Sequence, residues 1–131
     1  MTMQDELNDL KKQLAIAKQK LADSNKEDTA LIHTVFFWMK AEVTAAQKVD
    51  FVNNGMGKLK NCPQIYKAFY GPPAGTNRDV VDNSYNFAWI CHFKSKEDQN
   101  AYQNEPIHLK FVEEYKDYWE KVQVYDNLLS P

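Results

Sequence analysis

The sequence predicts an α+β fold in which one four-stranded sheet carries helices on one face, in the chain order β-α-β-β-α-β, behind an additional N-terminal helix. Three observations predict it. Large apolar residues fill both parities of Leu31–Lys40 and one parity of Tyr85–Phe93, which is typical of buried strands. Apolar residues recur at steps of three and four from Glu42 to Lys60 and again after Pro106, which is typical of helices. The order of these segments is that of a split βαβ, or ferredoxin-like, domain.

The length and charge of the chain limit what it can bind. Its 131 residues suffice for one domain with its own core, and a formal net charge of -2 gives no electrostatic attraction for nucleic acid or an anionic membrane. Cys62 and Cys91 lack CxxC spacing, so we expect reduced thiols in a cytoplasmic protein. No His or Cys spacing indicates a metal site, and we expect neither metal nor cofactor.

Residues 1–29 are predicted to form a helical extension and linker, separate from a domain at residues 30–131. No aromatic residue occurs before residue 30. The segment instead contains an apolar repeat at the a/d spacing of a coiled coil, formed by Leu7, Leu10, Leu14, Ala17 and Leu21. The polar stretch Asp23–Thr29 breaks this repeat and is predicted to be the linker. Two interpretations remain open: the helix joins chains or docks a partner, or it is an appendage that packs on its own domain or stays partly frayed.

The elements of the domain follow in order. Leu31–Lys40 is apolar on both parities, so this strand is predicted to be covered on both faces. Thr44 is a candidate cap of the first domain helix. The further predicted elements are a strand at 65–71, a long loop to residue 83, a strand at 85–93, a helix capped by Ser95 that runs to Gln103, a helix at 106–119 and a strand at 122–126. Bulky residues left on the outer sheet face predict a homodimer through the sheets.

The candidate site lies where the last predicted helix begins. His108 shares a helical stripe with Phe111 and Tyr115, so it is predicted to face the sheet, and Tyr102 lies shortly before Pro106. Imidazole exchanges protons near neutral pH, which makes Tyr102 and His108 a candidate catalytic acid–base pair. The predicted ligand-binding residues around them are His33, Val35, Phe111 and Tyr115. The alternative is that His108 only holds the helix against the first strand.

These segments together resemble the dimeric stress-response α/β-barrel (Dabb) family. The resemblance rests on His33–Lys40, on Phe87–Phe93 with Ser95, on Tyr102-x-x-x-Pro106-x-His108-x-x-Phe111, and on Trp119 with Val124-Tyr125-Asp126. It implies two ferredoxin-like subunits that pair their sheets into a barrel. Many members have no assigned activity, some are associated with stress, and one plant member is a polyketide cyclase whose acid–base Tyr and His correspond by motif to Tyr102 and His108. Members commonly carry a His directly before the Pro, where this sequence has Glu105.

Two functions from different classes are therefore predicted for the domain. The first is a small homodimeric protein that binds an apolar or aromatic ligand in a cavity of each subunit. The second is a cofactor-free cyclase or isomerase that uses the Tyr102 and His108 pair. Glu105 and the lack of a third activating group favour the first function.

Overall fold

The computed structural model describes residues 2–28 and 30–130, with the backbone alone for residues 21–28. The helices are α1 (Met3–Asp28), α2 (Ala45–Asp50), α3 (Gly57–Leu59), α4 (Lys96–Gln103) and α5 (Pro106–Tyr115). A π-helical segment, Phe51–Met56, joins α2 to α3 without a break. The strands are β1 (Leu31–Met39), β2 (Lys67–Gly71), β3 (Phe87–Phe93) and β4 (Trp119–Leu128). The predicted ferredoxin-like α+β fold is confirmed.

The four strands form one antiparallel sheet in the order β2-β3-β1-β4. Residues directly opposite each other share a face, so the register divides the sheet into an inner and an outer face. One inner row is Ala68, Cys91, His33 and Asp126. The neighbouring outer row is Phe69, Ile90, Thr34 and Tyr125. Along β1 the inner residues are buried and the outer ones are half-buried, so the helices cover only the inner face.

Capping residues in the sequence mark the points at which the helices begin. The Thr44 hydroxyl accepts from the Gln47 N–H at 3.1 Å, and the Gln47 side chain accepts from the Thr44 N–H at 2.8 Å, which is a capping box. Ser95 accepts from the Asp98 N–H at 3.1 Å and caps α4, and Pro106 stands in the first turn of α5. The predicted caps at Thr44 and Ser95 are both present.

An aromatic cluster at the inner face anchors the helices to the sheet. Its centre is Phe51, which is fully buried and lies 5.2 Å from Phe37 and 5.6 Å from Phe111, measured between ring centroids. A Cβ at Gly55 would lie 2.9 Å from the Tyr115 ring, so a glycine lets the π-helical segment approach α5 this closely. The core therefore fixes α5, and with it the first turn that carries His108, against β1.

Several element boundaries differ from the sequence prediction. The helix predicted to reach Trp119 ends at Tyr115, and a 3-10 turn, Lys116–Tyr118, leads into β4. Trp119 begins β4 because this strand pairs with the whole length of β1, from Met39 opposite Trp119 to Leu31 opposite Leu128. The second and third strands begin at Lys67 and Phe87, two residues later than predicted. The predicted linker at 23–29 is helical through Asp28, whereas Thr29 lies outside the described residues.

Candidate functional site

Two consecutive helices place Tyr102 and His108 side by side. Tyr102 lies in the last turn of α4, where 1% of its surface is exposed, and His108 lies in the first turn of α5. Their ring centroids are 4.4 Å apart with the planes tilted by 41°. The ring of His33, on β1, lies 6.1 Å from the Tyr102 ring. The structure thus brings together the three residues that the sequence singled out.

These residues border a cavity of about 260 Å³ between the inner sheet face and α5. Its polar lining residues are His33, Tyr102, Gln103, His108 and Asp126. Its apolar lining residues are Val35, Phe37, Leu59, Trp89, Phe111, Val112, Trp119, Val122 and Val124. Val35 and Phe111, two of the predicted ligand-binding residues, line this cavity. Tyr115 does not line it, because its hydroxyl points to the other side of α5 and donates to Asp50 Oδ2 at 3.0 Å.

The cavity has a polar end and an aromatic end. His33 and Phe37 are separated by four residues of β1, which is about 13 Å of strand. Asp126 lies opposite His33, and Tyr102 and His108 cluster at that end. At the other end the ring centroids of Trp119 and Phe37 are 4.9 Å apart. A ligand that fills the cavity would meet hydrogen-bonding groups at one end and ring faces at the other.

The sheet register places a carboxylate beside His33. Asp126 lies opposite His33 in the β1–β4 pair, and its Oδ1 is 2.5 Å from His33 Nδ1. The His33 side chain is 8% exposed and the Asp126 side chain 45%. Gln99 Nε2 lies 3.2 Å from the same ring nitrogen, but the shorter contact to a charged group decides which nitrogen carries the proton. The contact with Asp126 therefore places a proton on His33 Nδ1.

His108 also carries a proton on Nδ1, for a different reason. Its Nδ1 lies 3.3 Å from the backbone carbonyl oxygen of Gln103, which only an N–H can approach favourably. Burial lowers the pKa of His108 below its ordinary value, and this outweighs the contact with the Gln103 carbonyl, which raises the pKa. His108 is thus neutral at pH 7 and has an unprotonated Nε2, the form required of a base or a hydrogen-bond acceptor.

Tyr102 complements His108 as a hydrogen-bond donor. Burial raises the pKa of its hydroxyl far above the ordinary value, and the nearby thiols of Cys91 and Cys62 act in the same direction. The hydroxyl therefore stays protonated at every physiological pH. The pKa of Cys62 rises to about 11, first through burial and then through Glu105, so this thiol is not a nucleophile at neutral pH. Both cysteines are free and buried, as expected.

Glu105, which directly precedes Pro106, takes no part in the cavity. Its Oε2 accepts a hydrogen bond of 2.7 Å from Gln64 Nε2, and it does not line the cavity. Among the described residues there is no group of three or more His, Cys, Asp or Glu side chains that could hold a metal ion. None of the helices in the described ranges is long and apolar enough to cross a membrane.

Three lining residues, Asp126, Trp89 and Gln103, were not among the predicted site residues, and Trp119 was predicted to lie on a helix. A signal for Asp126 was present, because strand alternation puts it on the same face as Val122 and Val124. An acidic residue on an otherwise apolar, inward strand face indicates a buried polar partner. Strand alternation also gives a signal for Trp89, because it places this residue on the same inward face of β3 as Cys91.

Comparison with known proteins agrees with this architecture. The sequence model of the Stress responsive A/B Barrel Domain matches residues 31–128. A stress-response A/B barrel domain-containing protein of Arabidopsis thaliana is 27% identical over 96 residues, which are 72% of this chain and 44% of that protein. Olivetolic acid cyclase of Cannabis sativa is 26% identical over 101 residues, 74% of this chain and 94% of that enzyme. The chain thus spans less than half of the Arabidopsis relative.

Two solved structures show the same fold. A hydroxynitrile lyase from Passiflora edulis superimposes with a TM-score of 0.67 at 21% identity, covering 79% of this chain and 95% of that one. A dimeric ferredoxin-like protein of unknown function from Thermobifida fusca gives a TM-score of 0.66 at 19% identity, covering 79% and 93% of the two chains. In this chain α1 precedes the matched domain.

Proposed function

The chain belongs to the stress-responsive A/B barrel domain family, and we propose that it binds a small aromatic ligand in the cavity beside β1. The observation that carries this proposal is the convergence of Tyr102, His108 and His33 on one cavity whose far end is aromatic. Binding pockets are typically apolar concavities with a few convergent polar groups, which is this arrangement. The alternative interpretation of His108 as a purely structural residue does not account for the cavity beside it.

The lining restricts the chemistry of the ligand. A volume of about 260 Å³ is below the range of drug-sized pockets, so a ligand with one ring fits best. The Nε2 atom of His108 is available as a hydrogen-bond acceptor, and the Tyr102 hydroxyl is a donor. A hydroxyl and a carbonyl on or next to the ring would match these groups. The ring itself would pack on Phe37 and Trp119.

Tryptophan indole signals provide the test. The chain has three tryptophans, of which Trp89 and Trp119 line the cavity, whereas the Trp38 indole N–H donates to Ser84 at 3.1 Å away from it. Titration with 4-hydroxyacetophenone, followed in ¹H–¹⁵N spectra, should shift the Trp89 and Trp119 indole signals and leave that of Trp38 in place. Equal shifts of all three signals, or no shift at millimolar probe, would refute the proposal.

We propose further that two chains pair through their outer sheet faces. That face exposes 59% of Phe69 and 60% of Tyr125, and between these two residues lie Ile90 and Thr34. Large exposed apolar side chains on a sheet face are characteristic of an interface, and the Thermobifida fusca neighbour is described as dimeric. Light scattering after gel filtration should give twice the chain mass at micromolar concentration, and a stable monomer would refute the dimer. The free cysteines agree with the cytoplasmic location that the sequence predicts.

A second candidate function is cofactor-free proton-transfer catalysis at the same site, of the cyclase or isomerase type. The specific observation in its favour is a neutral base 4.4 Å from a protonated phenol, measured between ring centroids. His108 Nε2 would take the α-proton of a carbonyl compound while the Tyr102 hydroxyl hydrogen-bonds the developing enolate oxygen. The similarity to olivetolic acid cyclase supports this candidate function but does not assign its substrate.

Hydrogen exchange at carbon tests this second candidate separately. In D₂O the protein should accelerate deuterium incorporation into the benzylic position of phenylacetone. Because general acid–base groups contribute about 10²–10⁴-fold, His108→Ala and Tyr102→Phe should each lower the accelerated rate at least about 100-fold. If phenylacetone binds but exchanges no faster than in buffer, the protein is a binding protein only.

A further inference from the structure

The N-terminal helix carries an apolar stripe that nothing in its own domain covers. Every side chain from residue 2 to residue 20 is exposed, including Leu7 at 45%, Leu10 at 61% and Leu14 at 56%. These leucines lie at alternating steps of three and four, so they share one side of α1. In the described residues the interpretation that this stripe packs on its own domain therefore does not hold.

Charge placement beside the stripe indicates what covers it. With Leu7 and Leu14 at position a and Leu10 at position d of a heptad, Glu6 occupies position g and Lys11 position e. In a parallel, in-register pair of such helices, Glu6 of each chain meets Lys11 of the other, and the next such pair, Gln13 with Lys18, is neutral on one side. No like charges meet across this interface.

The antiparallel arrangement fits less well. When two α1 helices overlap the same leucines in opposite directions, the e positions face each other, and the two Lys11 side chains meet at the twofold axis. A membrane surface fits less well too, because a surface-bound helix needs a basic polar face, whereas Asp5, Glu6 and Asp9 accompany Lys11 and Lys18 here. The surface is therefore best matched by a second copy of itself.

We propose that α1 is a dimerisation helix, which forms a parallel two-stranded coiled coil with α1 of a second copy of this chain. A helix pair of 26 residues is short for association on its own. Two chains held together through their sheets present the two helices to each other at an effective concentration in the millimolar range. To that extent the inference rests on the proposed sheet-face dimer.

Site-directed cross-linking of the full chain tests this inference. Leu14 and Ile16 are matched controls for each other, because both side chains are apolar and each is 56% exposed. Position a, which Leu14 occupies, faces its own copy across a parallel pair, whereas Ile16 at position c points outward. The native cysteines Cys62 and Cys91 are buried and should contribute little background.

Under mild oxidation Leu14→Cys should give a covalent dimer at least ten times faster than Ile16→Cys, because only the a position brings the Cβ atoms into disulfide range. Equal rates for the two variants would overturn the coiled coil. The mass of the same proteins before oxidation tests the coiled coil of α1 separately from the sheet-face dimer. A dimeric mass with no preference for Leu14→Cys overturns the helix pair and leaves the sheet-face dimer standing, whereas a monomeric mass with no cross-link overturns both.

Discussion

Replacement of His108 by alanine separates a binding role from a structural one by magnitude. The side chain makes one ring contact, with Tyr102 at 4.4 Å, and such pairs contribute about 0.5–1.5 kcal/mol. Its Nδ1 contact to Gln103 is 3.3 Å, beyond the usual N–H···O range, and adds little. Because the site opens to the cavity, water can fill the space that the imidazole leaves. We therefore expect His108→Ala to lower the free energy of unfolding by only about 1 kcal/mol.

The effect of His108→Ala on the free energy of ligand binding should be larger than its effect on the free energy of unfolding. Loss of the Nε2 acceptor should raise the Kd for 4-hydroxyacetophenone at least tenfold, which corresponds to about 1.4 kcal/mol. His92→Ala is the matched control, because His92 also makes one ring contact, with Tyr66 at 5.0 Å, but does not line the cavity. Urea unfolding and probe titration of both variants provide the measurements. A loss of about 3 kcal/mol with unchanged probe affinity for His108→Ala would show that His108 is structural and refute the reasoning.

The lowered pKa of His108 means that the unfolded chain takes up this proton first as the pH falls. Stability should thus decline from about pH 6.5 down to that pKa and then level off, and this component should vanish in His108→Ala. Phe69→Lys, at a site 59% exposed, should produce a monomer by light scattering, whereas Val80→Lys, at a loop site 85% exposed, should not. Deletion of residues 1–27 should leave the thermal transition cooperative by circular dichroism; a molten product would contradict the domain boundary. Gly55→Ala should cost about 1–3 kcal/mol in urea unfolding, because the new Cβ lies 2.9 Å from the Tyr115 ring.

The parts of the site that short-range periodicity determines could be predicted from the sequence. Strand alternation predicted that His33 and Val35 share a face of β1, and helical spacing predicted that His108 and Phe111 point to the sheet. Those patterns depend on neighbours a few residues apart. They identified four of the residues that line the cavity without any knowledge of how strands pair.

The positions of Asp126 and Trp119 in the site depend on long-range strand pairing. Asp126 reaches His33 only because β4 pairs with β1 in one register, and a shift by one residue would turn its side chain to the outer face. The same pairing extends β4 back to Trp119, which helical periodicity had assigned to α5. Tyr115 was predicted to bind ligand because it continues the helical stripe of His108 and Phe111. The stripe is wider than the cavity, however, and Tyr115 hydrogen-bonds to Asp50 instead.

The position of β4 at the sheet edge also bears on how the cavity opens. β4 forms ladder hydrogen bonds with β1 alone, and it exposes 40% of Val122 and 43% of Val124. Edge segments of this kind detach by local fluctuation at a lower free energy than global unfolding. Asp126 and Trp119 move away together with β4, so each detachment removes one wall of the cavity. A bound ligand that contacts this wall makes detachment less frequent by mass action, because the detached state does not bind it. Amide hydrogen exchange along β4 would then slow as the ligand concentration rises.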